Sequence, residues 1–413
     1  MQLNRGLTLL ASIRLILACG DDPAAGSDVG IAAHRARYSK RSDPATNLTT
    51  SSPQVTALDN VRYFNGHGLS APTTVLISGS SIGLIGTNLG VTPDTHINGT
   101  GHVLLPGFFE SHAHPGSLEE MKNLTAAGVT TTIGASCQNL TLCAQLRNLP
   151  GLTSFITAGL PAVAPGSSNL ATPGGVPSVN FINSTAQIPS FMSNNIAAGS
   201  ELFKLRSQNG GFSQDMQTAI VAEGHKYGRV VMTHATESDS WVRALGSGTD
   251  LIHHTITDAN ISDDQVQQLL GMGVVNVPTL RVHYQGWQAG YYPDANWTMI
   301  QSNVRKLYDA GADLLVGTDV HTLTPGALTE LWFPFGSSLH EEMELLTEVG
   351  LSNADVLRMA TKEPARIFGY TDRGQVKTGL RADLLLVEGD PIADIKIINN
   401  VRNVWVAGEE YMG

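Results

Sequence analysis

Short apolar runs alternate with amphipathic stretches through the middle of the chain. Eight runs have strand composition and are separated, for the most part, by helical stretches: 103–109, 129–133, 153–157, 202–205, 230–234, 251–254, 274–278 and 314–319. The spacing Ser262-x-x-Gln265 before an apolar run is a capping-box signature that predicts a helix start. Eight strands alternating with helices predict an α/β protein built on a (β/α)8 TIM barrel, with extra helices at 339–349 and 352–360 packed outside.

Both flanks of this middle region have a different pattern. Residues 55–85 contain short β-type runs at 61–64 and 74–77, punctuated by glycines, which is typical of hairpins. Residues 374–409 repeat that texture with β-type runs at 383–387 and 401–406. Two terminal β segments around a different middle predict one small discontinuous domain.

The first residues have the layout of a secretory signal. A basic start at Arg5 precedes an apolar stretch over residues 7–18, which is too short to span a membrane and is interrupted by Arg14. We therefore expect residues 1–20 to be signal-like and the protein to be secreted. A lipid anchor on Cys19 and a cytoplasmic location are the alternatives. Residues 21–52 form a polar linker or pro-segment, and Lys40-Arg41 looks like a kexin-type processing site.

Asparagine and cysteine usage fits that location. Seven Asn-x-Ser/Thr sequons predict a glycoprotein, at Asn47, Asn98, Asn123, Asn139, Asn183, Asn260 and Asn296. Beyond Cys19 the chain has only Cys137 and Cys143, six residues apart. They are either bridged or two buried thiols, and the sequence leaves both readings open.

Composition and net charge limit the kinds of molecule that we expect the protein to bind. The chain has 413 residues, 42% of them hydrophobic and 15% charged, which predicts a globular protein with a large core. Its formal net charge of -11, with no basic stripe, argues against nucleic acid. We expect a small-molecule substrate and no membrane span. The sequence does not disclose the oligomeric state, and a homo-oligomer is compatible with it.

Metal-binding residue types end several of the strand candidates. His112 and His114 follow an apolar run, and in an extended segment residues two apart face the same side, so both rings can reach one metal ion. Surface histidines are the alternative reading of this pair taken alone. Four other strand candidates end at or near Lys204, His234, His254 and Asp319. In a barrel those C-terminal ends converge where such folds build their sites.

These residues carry a resemblance to the amidohydrolase superfamily, close to its imidazolonepropionase-like and Xaa-Pro dipeptidase-like members. The resemblance extends from about Val61 to Val406 and includes Pro278-Thr279-Leu280, Gly317-Thr318-Asp319 and the stretch 381–384. It implies hydrolysis at a binuclear zinc centre under the barrel mouth. It also implies that the terminal segments, 53–104 and 369–413, form a small β-sandwich beside a hydrolase barrel over 105–368.

The resemblance assigns roles residue by residue. His112, His114 and Asp319 would bind the more buried ion, and His234 and His254 the more exposed one. Lys204, carboxylated on its amine, would bridge them. A single-metal site with a structural Lys204 is the alternative, and manganese, cobalt or iron could replace zinc. His253, where the family usually has Glu, and Glu110-Ser111, in place of the commoner Asp, are departures that concern hydrogen bonding around the ligands.

The implied reaction is attack of a metal-bridging hydroxide on a carbonyl carbon, with Asp319 as the catalytic residue that moves the proton. We expect cleavage of an amide, cyclic amide or dipeptide-like C–N bond in a small organic molecule. A lactonase or ester hydrolase, and a non-catalytic binding protein of the same fold, are the alternatives. The uncharged loop 160–175 suggests an apolar wall, and Arg206 or Arg281 could bind a carboxylate. The other candidate substrate contacts are His283, Tyr284 and His321, with Trp287, Tyr291 and Tyr292 in an aromatic loop that stacks on a ring or packs over the rim.

Overall fold

A computed structural model describes residues 54–137, 139–165, 167, 181–291, 293–322, 329 and 332–413. The predicted signal segment 1–20, the linker or pro-segment 21–52, Cys19, Lys40-Arg41, Asn47 and Tyr292 lie outside these residues, as does most of the loop 160–175. Among the helices that are described, none has the length and apolar character needed to cross a membrane.

Strands and helices alternate along most of the described chain. The strands are β1 Val55–Tyr63, β2 Thr73–Ser78, β3 Ser81–Gly86, β4 Thr95–Asn98, β5 His102–Pro106, β6 Phe108–His114, β7 Val129–Gly134, β8 Ser154–Thr157, β9 Phe203–Arg206, β10 Val231–His234, β11 Leu251–His253, β12 Val275–Val277, β13 Val320–His321, β14 Leu384–Glu388, β15 Val401–Val406 and β16 Glu409–Glu410. The α-helices are α1 Leu118–Ala126, α2 Leu140–Gln145, α3 Ile188–Ala197, α4 Gln214–Lys226, α5 Ser238–Ser247, α6 Asp263–Met272, α7 Leu280–Gln288, α8 Asp294–Asp309, α9 Ser337–Glu348, α10 Asn353–Met359 and α11 Lys362–Ile367.

The two terminal β segments meet in one sheet. Its order is β16-β15-β14-β5-β1-β2-β3, with β4 beside β1, so β5 joins the N-terminal strands to the C-terminal ones. Strand β5 pairs parallel with β1 and antiparallel with β14. Leu58, Val75, Leu104, Leu384 and Trp405 from both segments are buried together. The predicted association of the two segments is therefore observed, whereas the sandwich and the boundaries 53–104, 369–413 and 105–368 stay predictions.

The middle region contains two parallel sheets of four strands. Their orders are β13-β6-β7-β8 and β12-β11-β10-β9. These sheets confirm the α/β class but do not by themselves confirm one closed eight-stranded barrel. The predicted run 103–109 is two strands, because the chain changes partners at Gly107. The Gly107 amide donates to Asp383 O, and the next amide, of Phe108, donates to Gly128 O.

The predicted last strand, 314–319, was wrong in extent. Only Val320–His321 is regular strand, and Leu314 makes one isolated bridge to Asn276. The reason lies at Asp319, whose φ of 63° is left-handed and interrupts an extended ladder. The segment still contacts both neighbours, because Leu315 N donates to Asn276 O and Ser111 N donates to Val316 O.

Helix predictions agree with the structure. Ser262 Oγ accepts from Gln265 N at 3.1 Å and Gln265 Oε1 accepts from Ser262 N at 2.8 Å, so the predicted capping box starts α6. Helices α9 and α10 occupy the predicted positions. Cys137 and Cys143 form a disulfide with a Cα–Cα distance of 6.5 Å, which decides between the two readings of that pair.

Candidate metal centre

The predicted ligands lie at or near the ends of neighbouring parallel strands. His112 and His114 end β6, and Asp319 directly precedes β13, whose Val320 is paired with Ala113. In the other sheet, Met232 of β10 is paired with Lys204 of β9, and His234 with His253 of β11. Because these neighbouring strands are parallel and nearly in register, their polar ends lie at one edge of each sheet.

Asp319 lies between two of the histidines. Its Oδ1 atom is 3.1 Å from His112 Nε2 and 3.0 Å from His114 Nε2. Ligand atoms of His112, His254 and Asp319 all lie within 4.8 Å of one another, which makes them a candidate metal-binding triad. Nitrogen and carboxylate oxygen donors at this spacing suit a divalent ion such as zinc.

The imidazoles of His114 and His254 are each held by a contact at Nδ1, which leaves Nε2 as the candidate ligand atom. His114 Nδ1 lies 3.0 Å from Ser136 Oγ and 3.3 Å from Ser136 O. His254 Nδ1 lies 2.8 Å from Thr279 Oγ1. A backbone carbonyl can only accept, so it favours the proton on His114 Nδ1 and leaves the lone pair on Nε2. Anchoring one ring nitrogen so that the other can ligate is typical of metal-binding histidines.

His112 is held by another histidine. His253 Nδ1 lies 2.7 Å from His112 Nδ1, and the two ring centroids are 4.4 Å apart. His253 therefore supports the ring of His112 in place of the expected Glu. The candidate triad contains His254 and not His253.

Glu110, which also differs from the family's usual residue, forms hydrogen bonds with the backbone of two segments at the site. Its buried carboxylate accepts from His112 N at 2.9 Å, from Thr318 N at 3.0 Å and from Thr318 Oγ1 at 2.8 Å. It thereby ties the end of β6 to the turn that carries Asp319. Burial raises the pKa of Glu110 to about 8.

Backbone strain is concentrated at this edge. Among the described non-glycine residues, seven have positive φ, and three of them are His254 at 75°, Thr279 at 52° and Asp319 at 63°. Such conformations cost roughly 1–3 kcal/mol each and tend to occur where function requires them. Left-handed conformations directly after β11 and directly before β13 re-aim the side chains of His254 and Asp319.

The remaining predicted ligands, Lys204 and His234, are also buried here. The His234 and His254 ring centroids are 4.4 Å apart, and Gln208 Nε2 lies 3.3 Å from His234 Nε2. Burial lowers the pKa of Lys204 to about 7, with the carboxylate of Asp319 opposing that shift. Within the described residues, the Nζ of Lys204 and the Nε2 of His254 have no hydrogen-bond partner.

Burial favours the neutral form of five histidines at this edge. It lowers the pKa of His112 to about 3 and of His283 to about 4, and it holds the pKa values of His234, His253 and His254 well below the usual range. Neutral imidazole is the form that binds metal. The buried and unpaired donor atoms therefore fit a cation better than they fit a dry core.

The predicted substrate contacts separate into two groups. His283 lies 5.9 Å from His254 between ring centroids, and His321 Nδ1 lies 3.4 Å from Asp319 O, so both are beside the ligands. Tyr284 instead packs with Trp287 and Trp297, at centroid distances of 5.5 and 5.4 Å.

Arg281 and its neighbours form a separate set of contacts near the rim. Its guanidinium forms an ion pair with Glu341, donates to Gln285 at 2.9 Å and lies 4.5 Å from the centroid of the Phe333 ring. These contacts engage the guanidinium that was a candidate for binding a substrate carboxylate.

Sequence reasoning assigned no role to Ser136, Gln208 or Glu342. They are common residue types in loops and helices, and no short motif singles them out. Thr279 belongs to the motif Pro278-Thr279-Leu280, but its contact with His254 depends on the fold.

Comparison with known proteins places this site in a family. The amidohydrolase family model matches residues 206–411, about half of the chain. The chain belongs to the amidohydrolase superfamily. This amidohydrolase is 24% identical over 362 residues to the imidazolonepropionase of Salinispora arenicola, covering 78% of the chain and 87% of the relative. It is 23% identical over 218 residues to the ochratoxinase of Aspergillus niger, covering 49% of the chain and 42% of the relative.

Solved structures resemble this amidohydrolase over most of its length. A Xaa-Pro dipeptidase with bound methionine superposes with a TM-score of 0.75 at 20% identity, covering 87% of this chain and all of that one. The A. niger ochratoxinase superposes with a TM-score of 0.72 at 16% identity, covering 88% and 96%. At these identities the likeness concerns the fold.

Membership confirms two sequence predictions, the family and the enzyme class. The chain is an amidohydrolase, a hydrolase acting on C–N bonds other than ordinary protein peptide bonds. The reading as a non-catalytic binding protein is not favoured. Members of this family generally use divalent metals and act on small molecules.

Proposed function

We propose that this amidohydrolase cleaves an amide, cyclic amide or dipeptide-like C–N bond of a small organic molecule at a centre of two divalent ions. The observation that carries the proposal is the cluster of buried Nε2 and amine groups around the partly buried Asp319 carboxylate at one edge of the parallel strands. Its relatives support the bond type, because an imidazolonepropionase and an ochratoxinase align by sequence.

We also propose that the two parallel sheets close into the barrel that the sequence predicts. At one seam Ala162 N donates to Lys204 O and Arg206 N donates to Ala162 O. At the other seam Leu315 N donates to Asn276 O, and Asp319 N donates to His112 O. These bonds support a ring in which the ligand-bearing strand ends surround one mouth.

We propose that these residues hold two ions. His112, His114 and Asp319 would hold the first, and His234 and His254 the second. Lys204 would bridge them as a carbamate, because a protonated amine cannot ligate and burial already favours the neutral amine. Zinc ions bound there would lower the pKa of a bridging water and polarise the substrate carbonyl.

Asp319 is the residue proposed to move the proton. Burial tends to raise its pKa, but His112, His114 and His254 outweigh burial and hold the pKa well below the usual range. Its carboxylate is therefore ionised at neutral pH and can accept a proton from water. Returning that proton to the leaving nitrogen would complete general acid–base catalysis. His283 and His321 are positioned beside the ligands to orient a substrate carbonyl.

A substrate screen tests the bond type. Protein loaded with zinc would be assayed against N-acyl amino acids, dipeptides, cyclic imides and lactones, with chelator-treated protein as the control. We expect hydrolysis of an amide-containing class that the chelator abolishes and added metal restores. Turnover of lactones alone would favour the ester-hydrolase alternative, and turnover unaffected by the chelator would contradict the metal centre.

We propose, finally, that the protein is secreted. The disulfide between Cys137 and Cys143 supports an oxidising compartment. Five described sequon asparagines have exposed side chains: Asn98, Asn123, Asn139, Asn183 and Asn260. Expression in a eukaryotic host should deliver glycosylated protein to the medium, and protein retained in the cell without glycans would contradict this proposal.

A further inference from the structure

Helix α7 begins at a residue whose side chain does not cap it. Thr279 is at the N-cap position, where a threonine hydroxyl usually accepts from the backbone N–H groups of the first turn. Thr279 Oγ1 makes no such bond. It donates to Pro278 O at 2.7 Å and lies 2.8 Å from His254 Nδ1.

This arrangement favours one tautomer of His254. When the Thr279 hydroxyl donates to the Pro278 carbonyl, its oxygen accepts from His254 Nδ1–H. The remaining lone pair of the ring is then on Nε2, which is buried without a partner in the described structure. Thr279 therefore leaves His254 ready to bind a cation through Nε2.

A residue from another helix supplies the missing cap. Glu342 of α9 is fully buried, and its Oε1 accepts from Leu280 N at 3.0 Å while Oε2 accepts from Arg281 N at 2.5 Å. Those N–H groups would otherwise be unsatisfied inside the protein. Because Glu342 caps the helix, the hydroxyl of Thr279 is available to His254.

The contacts of Arg281 distinguish helix capping by Glu342 from an ion pair between Glu342 and the Arg281 guanidinium. Its guanidinium pairs with Glu341 and donates to Gln285, while Glu342 accepts only from the backbone at this turn. A backbone cap also holds Thr279 in its left-handed conformation, with φ of 52°.

We propose that Glu342 is a positioning residue of the metal centre. By capping α7 it keeps the Thr279 hydroxyl on His254 Nδ1 and so keeps His254 Nε2 directed to the more exposed ion. This inference rests on the proposed metal-dependent function, and Glu342 is not one of the proposed ligands.

Cobalt binding tests the proposal with a readout other than activity. Apo-protein would be titrated with Co²⁺, and affinity and visible absorption recorded for the wild type, Glu342→Gln and Glu342→Met. Gln keeps one acceptor oxygen and Met keeps none, so affinity for one of the two ions should fall in that order, by about tenfold or more for Met. Glu344→Gln is the matched control, since Glu344 is on the same helix but accepts from Asn399 at 2.8 Å.

A double-mutant cycle distinguishes positioning from general destabilisation. Thr279→Val removes the hydroxyl, and in that background Glu342→Gln should weaken Co²⁺ binding much less than it does in the wild type. Additive effects, or Glu342 variants that bind two Co²⁺ ions with wild-type affinity and spectrum, would overturn the inference alone. A wild type that binds no Co²⁺ would overturn the proposed function itself. If Glu342→Met does not fold, the Glu342→Gln cycle decides.

Discussion

The imidazoles of the centre depend on second contacts made by ordinary residues. Ser136, His253 and Thr279 each hold one ring through Nδ1. Such supporting contacts commonly account for a 10- to 100-fold effect, roughly, on metal affinity or activity.

Replacing Asp319 with Asn tests its proposed part in proton transfer. Asp319→Asn keeps the shape but loses a charged ligand and a base, so kcat should fall by at least about 100-fold. Asp313→Asn is the control, since Asp313 pairs with Arg366 at 2.8 Å and touches no ligand. Asp319→Asn protein that retains turnover within tenfold of the wild type would refute the assignment.

Arg206 is a residue whose charge bears on substrate choice. Arg206 follows Lys204 by two residues on β9, and its positive charge interacts with the Asp319 carboxylate. Burial is the larger cause of the lowered pKa of His234, and the charge of Arg206 lowers that pKa further. A guanidinium beside the ligands favours a substrate that carries a carboxylate. Arg206→Met should raise KM about tenfold or more for such a substrate and leave KM for its neutral amide unchanged. Equal KM changes for the carboxylate substrate and its neutral amide would mean that Arg206 does not bind the carboxylate.

At the scale of elements, local pattern predicted most strands, because short apolar runs are separated by amphipathic or polar stretches. The local pattern failed where contacts between distant segments determine the limits of a strand. The run 103–109 divides at Gly107 between two sheets, and 314–319 is interrupted by the left-handed Asp319. Strand ends and the family resemblance predicted a ligand set of which the structure brings His112, His254 and Asp319 together, whereas the contact of Glu342 with α7 joins residues 61 and 62 positions apart and leaves no local pattern.

The disulfide stabilises the connection between β7 and α2. For a loop of this length, chain entropy predicts a contribution of about 2 kcal/mol to the free energy of unfolding. Cys137→Ser combined with Cys143→Ser should lose about that amount in urea unfolding. Reductant should lower the stability of the wild type to the level of the variant and leave the variant unchanged. Equal stability of both proteins without reductant would contradict the prediction.

At the scale of the whole molecule, buried titratable groups set the pH dependence of the apo-protein. Five buried histidines of the centre, His112, His234, His253, His254 and His283, have folded-state pKa values below their unfolded ones. The unfolded chain binds more protons, so their contribution is present above about pH 6.5 and is lost as the pH falls. Glu110 and Glu342, with pKa values raised to about 8, act in the opposite direction. Five histidines against two carboxyls predict a net loss of stability below pH 6.5.

Urea unfolding of apo-protein between pH 7.5 and 5 measures this slope. His283→Gln should make it shallower, because one buried imidazole is removed. His67→Gln should leave it unchanged, because His67 is exposed. A slope that is flat in the wild type, or is altered as much by His67→Gln as by His283→Gln, would contradict this electrostatic account.

Metal content is the most direct measurement of the central claim. Apo-protein would be dialysed against zinc and bicarbonate, freed of excess metal and analysed by elemental mass spectrometry, alongside Lys204→Gln. We predict two zinc ions per chain for the wild type and no more than one for Lys204→Gln. A wild type that retains no zinc, or a Lys204→Gln variant that still retains two, would contradict a binuclear centre bridged by Lys204.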